Sequence, residues 1–84
     1  MKNVKKGYAM EKIEITTEYI KLDQLLKFIG IAGSGSDAKM MIADGMVTFN
    51  GDVCTMRGKK VRPGDVVAVE DAGEYLVVAE DSES

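Results

Sequence analysis

Between Leu22 and Gly51 the apolar residues follow a rhythm that few small folds accommodate. Leu22, Leu25, Leu26 and Ile29 stand at i, i+3, i+4 and i+7, the spacing that puts four side chains on one helical face, and Gly30 supplies the stop. The run Ala32-Gly33-Ser34-Gly35-Ser36-Asp37 cannot hold regular structure for long. Ser34 and Asp37 nonetheless have capping-box spacing, so a second helix is predicted here, with Ala38, Met41 and Ile42 inward and Gly45 at its end. Met46-Val47-Thr48-Phe49 then reads as a strand. Asn50-Gly51 is the signature of a type I′ turn, which needs positive φ at both central residues, and Val53 to Met56 is expected to pair back.

The flanking segments are β-rich. Ile13, Ile15 and the two threonines after them alternate well enough for a short strand. Arg57-Gly58-Lys59-Lys60-Val61-Arg62 reads as a basic loop closed by Pro63-Gly64-Asp65, where Pro presets φ and Gly takes the positive φ of a type II turn. Val66 to Val69 and Tyr75 to Val78 form two further strands around an Ala72-Gly73 turn. The fold class that follows is α+β, with two packed helices against a small, largely antiparallel sheet. Residues 1–9 are expected to be a disordered leader, residues 10–79 a single domain, and residues 80–84 an acidic tail.

Eighty-four residues support one modest core but no substrate cleft between domains. Histidine is absent and Cys54 is the only cysteine, which excludes intrachain disulfides, Cys/His zinc sites and histidine acid–base pairs. Nothing in the pattern supplies an activated nucleophile or a nucleotide loop, so no enzyme activity and no cofactor are expected. No apolar run approaches the roughly 20 residues of a bilayer span. A cytoplasmic protein without a membrane partner is the expectation. The net charge of −3 argues against a nucleic-acid partner until its distribution is considered. Residues 21–64 carry seven basic against four acidic side chains, whereas residues 65–84 carry seven acids and no base. The acidic average therefore hides a basic middle that suits a local anionic partner.

Lys21-Leu22-Asp23-Gln24-Leu25-Leu26, Gly30-Ile31-Ala32, then Ser34, Ala38, Lys39, Ile42, Gly45, Val47, Asn50-Gly51 and Arg62-Pro63-Gly64-Asp65 together resemble the RNA-binding domain first described in ribosomal protein S4. The resemblance runs from about Ile13 to Val78, and the chain looks most like the small stand-alone bacterial YaaA/YbcJ-like members. It implies an αL motif, in which two helices and the following hairpin form an L-shaped surface for structured RNA, commonly ribosomal or transfer RNA. Carried over by position, it implies RNA contacts from Lys21, Gln24 and Lys27 on helix one and from Ser34, Gly35, Ser36 and Lys39 at the start of helix two. Asn50, Arg57, Lys59, Lys60 and Arg62 extend the implied surface. Lys21 stands where the family usually has Arg, and the Arg usual near Gly35 and Ser36 is missing, so point charges replace bidentate forks.

The residues support an anion site on their own terms. Amide groups at the start of helix two lack helical partners, and a Gly-Ser-Gly-Ser approach lets a phosphate come close to them. The competing readings are bland: a capped helix connection, a solvated hairpin end, and a structural turn at Asn50. Cys54 is expected to be a small buried strand residue. Phe28, off the main apolar stripe, is expected to pack beneath the sheet rather than stack on a base. The function expected is a non-enzymatic module for structured RNA, ribosomal RNA or a ribosomal particle. The alternatives are a protein-interaction module and a helix-turn-helix DNA binder. The second helix offers a DNA groove Lys39 beside Asp37 and Asp44 but no Arg, Asn or Gln to read base edges. A carrier of ubiquitin type needs a terminal Gly-Gly, and the sequence ends Glu80-Asp81-Ser82-Glu83-Ser84.

Overall fold

A computed structural model describes residues 10–80, so the expected leader and all of the expected tail except Glu80 lie outside the described residues. Strand β1 (Glu11–Ile15) turns Ile13 and Ile15 inward and Lys12 and Glu14 outward, as period two requires, and Glu11 is exposed at the strand's start. It ends before Thr16, because the Thr17 hydroxyl donates to the Tyr19 carbonyl (2.7 Å) in a bend. A two-residue strand β2 (Ile20–Lys21) leads directly into helix α1 (Leu22–Phe28), which buries Leu22, Leu25 and Leu26. Helix α2 (Gly35–Ala43) buries Ala38 and Ile42, and its N-cap is Ser34, whose Oγ accepts from the Asp37 N–H (3.2 Å). Both predicted helices and the predicted cap are present.

Strands β3 (Val47–Phe49) and β4 (Asp52–Val53) flank a turn in which Asn50 and Gly51 have φ of 51° and 95°, the type I′ geometry. The return is shorter than expected. Only Asp52 and Val53 pair, Cys54 adds one N–H to the Val47 carbonyl (3.0 Å), and the chain then leaves toward α1, so Val53 and Met56 are exposed and Cys54 is half-buried outside the strand. The basic segment is not wholly loop, because Lys60–Val61 forms β5, which pairs antiparallel with β2. Full burial of Val61 between charged neighbours anchors that short strand. Strands β6 (Val66–Val69) and β7 (Gly73–Ala79) follow. Their connection turns at Asp71 (φ 67°), and Gly73 already belongs to β7 opposite Val69, so the turn lies one step earlier than predicted.

The main sheet has the order β1-β7-β6-β3-β4. Every pairing in it is antiparallel except β1 with β7, where Ile13 lies opposite Val77. One core joins the layers: Leu22, Leu25 and Leu26 of α1, Ala38 and Ile42 of α2, Val61 of β5, and Val47, Val67 and Val77 of the sheet. Among the described residues no helix is long and apolar enough to cross a membrane.

Leu25 has no solvent exposure, so Leu25→Ala removes apolar contact and leaves a cavity where the helices meet the sheet. The expected loss is about 2–5 kcal/mol in urea unfolding, with an unchanged denaturant slope. A loss below about 0.5 kcal/mol, the scale of a surface substitution, would place Leu25 outside the core.

Candidate nucleic-acid interface

Helix α1 begins at Lys21 with no side-chain cap, leaving its first amides to find acceptors elsewhere. The basic segment supplies them. The Leu22 N–H donates to the Lys59 carbonyl (2.9 Å) and the Asp23 N–H to the Arg57 carbonyl (3.1 Å), while β2 pairs Lys21 opposite Lys60. Two like charges directly across a ladder repel. Lys60 turns part of its field onto an aromatic face, with Nζ 4.9 Å from the centroid of Tyr19, and Lys59 sits likewise 4.8 Å from that of Phe49.

Two depressions lie on either side of this junction. The first, of about 690 Å³, is lined by Lys21, Gln24, Lys27 and Phe28 of α1 and by Thr17, Tyr19 and Ile20. The second, of about 560 Å³, is lined by Lys59, Lys60 and Arg62 with Phe49, Met56, Gly58 and Asp65. The contact of Lys60 with Tyr19 joins the two. Six of the predicted residues, Lys21, Gln24, Lys27, Lys59, Lys60 and Arg62, thus line the two depressions, and the Arg57 carbonyl bonds the start of α1 between them.

Ser34, Gly35, Ser36 and Lys39 line neither depression. At the start of α2 the Asp37 N–H is taken by Ser34 and the Ala38 N–H by the Ser34 carbonyl (3.1 Å). The Asp37 carboxylate folds back over Gly33, where an added Cβ would lie 3.4 Å from its Oδ2. That helix end already has an anion of its own, which satisfies the dipole. Asn50 is exposed, yet its side chain is occupied: Oδ1 accepts from the Val66 N–H (2.8 Å) and Nδ2 donates to Asp65 Oδ1 (3.2 Å). Asp65 Oδ2 in turn accepts from the Arg62 N–H (2.9 Å), so the hairpin turn and the Pro63-Gly64 turn are tied together at the rim of the second depression.

Phe28 does not pack beneath the sheet. It is 61% exposed on the outer face of α1, beside Gln24 and Lys27. Burying a phenylalanine is worth roughly 1.5–3 kcal/mol, and most of that is forgone at this position. Tyr19 and Phe49, the two rings that carry lysines, were not singled out from the sequence. An aromatic two residues before Lys21 was the signal available for Tyr19, whereas Phe49 reads simply as a strand residue.

A model of the S4 domain matches residues 13–78. The chain belongs to the S4 domain family. This S4 domain is 39% identical over 66 residues to a Bacillus subtilis (strain 168) protein described as "Probable ribosome maturation protein RlbA", an alignment covering 79% of this chain and 93% of that one. It is 35% identical over 52 residues to the small ribosomal subunit protein uS4 of Synechocystis sp. (strain ATCC 27184 / PCC 6803 / Kazusa), covering 62% of this chain and 26% of the relative. The uS4 of Oleidesulfovibrio alaskensis (strain ATCC BAA-1058 / DSM 17464 / G20) is 34% identical over 64 residues, covering 75% of this chain and 31% of that protein. The S4 domain therefore spans nearly all of the small relative but about a quarter to a third of each ribosomal one.

The position of Asn50 has a measurable consequence. Asn50→Ala deletes two hydrogen bonds and puts a Cβ without a polar group at positive φ, so a loss of about 1–3 kcal/mol is expected in urea unfolding. An unchanged unfolding midpoint would mean that the amide is not a strut between the turns.

Proposed function

We propose that this chain is a non-enzymatic RNA-binding module that recognises structured RNA, specifically ribosomal RNA or a ribosome assembly intermediate. The observation that carries the reading is the strip on which Lys21, Gln24 and Lys27 meet Lys59, Lys60 and Arg62 across the β2–β5 ladder, in a chain of the S4 domain family. Lysines in an open strip attract phosphates without selecting sequence, and the rigid join between α1 and β5 fixes their spacing. Such a surface reads the shape of folded RNA, whose deep major groove side chains cannot enter. The ribosomal part of the proposal is supported by the names of the relatives, one a ribosome maturation protein and two small-subunit proteins.

Helix α2, with Ser34, Gly35, Ser36 and Lys39, extends this surface as a secondary arm. It contributes a single cation, Lys39, next to Asp37. The principal contact is therefore assigned to α1 and the Arg57–Arg62 segment. A cytoplasmic location follows from the same ribosomal reading.

Binding to ribosomal RNA fragments, measured by filter retention across a salt series, tests the proposal. Affinity is expected to fall steeply as salt rises. Lys21→Ala with Lys60→Ala should weaken binding and reduce the slope of log K against log salt by about one for each phosphate contact removed. Lys39→Ala alone should change it less. Salt-insensitive binding, or a double variant indistinguishable from the parent, would refute the assignment.

A further inference from the structure

We propose that the first depression takes an unpaired nucleotide, whose base stacks on Phe28 while its phosphate lies against Lys21 and Lys27. The inference rests on the RNA-binding reading above and adds the class of RNA: a helix interrupted by a bulged or flipped-out base. Lys21 at the N-cap, Gln24 and Phe28 stand at i, i+3 and i+7, so they form one exposed stripe along α1, beside the face that buries the leucines. That order puts a cation, an amide able to donate and accept, and an aromatic ring in a row about ten ångströms long at 1.5 Å rise per residue. A nucleotide offers a matching row of phosphate, polar base edge and base face.

The ring is open on the side that matters. Phe28 separates the lysine-lined depression from a smaller one of about 210 Å³, which is bordered by Glu14, Thr16 and Thr17. Glu14 repels a phosphate from that second side, so the backbone is confined to the lysine side and the base enters with one orientation. The neighbouring Tyr19 ring is covered by Lys60, which leaves Phe28 as the free aromatic face of the depression. A bare ring flanked by cations is the arrangement on which single-stranded bases stack, and stacking tolerates any base because every base has a π-face. A protein segment docking on Phe28 would gain little from the row of Lys21, Gln24 and Lys27.

The test uses the full chain and two RNA stem-loops, identical except that one carries a single bulged purine. The parent is expected to bind the bulged stem more tightly than the continuous one. Phe28→Ala should weaken the bulged complex roughly 5- to 150-fold, the range that one stacked base is worth by alanine substitution, while leaving the continuous stem and both salt slopes unchanged. Because the chain contains no tryptophan, Phe28→Trp introduces a single indole. Its fluorescence should be quenched by the bulged stem only, with the bulge preference retained. Thermal unfolding of both variants, expected to match the parent because the ring is exposed, separates misfolding from lost stacking. Salt-sensitive binding to both stems without a bulge preference, or equal loss of both in Phe28→Ala, would overturn the stacking site and leave the RNA-binding reading in place. Absence of salt-sensitive binding to either stem would overturn both, and the exposed ring would then belong to a protein contact.

Discussion

The start of α1 has no side chain to cap it, and two backbone carbonyls from residues 57 and 59 take that role. Unpaired amides in a half-buried position are costly, so this end of the helix forms only when the Arg57–Arg62 segment lies against it. The segment is held from its other side by Val61, which enters the core, and by Asp65, which accepts the Arg62 N–H. A six-residue stretch with four basic side chains is thereby fixed beside Lys21 and Lys27 at the two ends of α1. The charge geometry of the surface is thus a by-product of satisfying backbone hydrogen bonds.

Stability and recognition draw on different residues of the same elements. In α1 the leucines at 22, 25 and 26 are fully buried, whereas 21, 24, 27 and 28 are exposed. The repulsion between Lys21 and Lys60 is built into the ladder, and the ring of Tyr19 offsets part of it. An arrangement that keeps like charges opposed and a phenylalanine bare gives up free energy in the isolated molecule. A polyanion with an exposed base face would recover both contributions on binding, which is why these departures from a comfortable surface carry more functional meaning than the lysines singly.

Local signals in the sequence were strong enough to read most of the fold. The leucine period defined α1, the Ser34 and Asp37 pair defined the start of α2, and Asn50-Gly51 and Pro63-Gly64 defined two turns, all features contained within a few residues. The parts that were not legible are nonlocal. A two-residue strand such as β2 or β5 has no period to detect, and the parallel pairing of β1 with β7 joins residues more than 60 positions apart. The tie from Asn50 to Asp65, 15 residues away, leaves no local signal either. Phe28 was expected inside because apolar burial is the usual outcome, and its exposure reflects the three leucines that already fill the inner face of so short a helix. The candidate site was legible as a list of cations. The β2–β5 ladder that brings Lys21 opposite Lys60 needed the fold.

The most direct measurement of the central claim, that α1 and the Arg57–Arg62 segment act as one RNA-facing unit, is the map of backbone amide shifts on titration with folded ribosomal RNA at low salt. The largest changes are expected at residues 19–28 and 57–62, moving together with one apparent affinity. Changes confined to the outer strand β1 and the β6–β7 turn, or two segments responding with unrelated affinities, would contradict it.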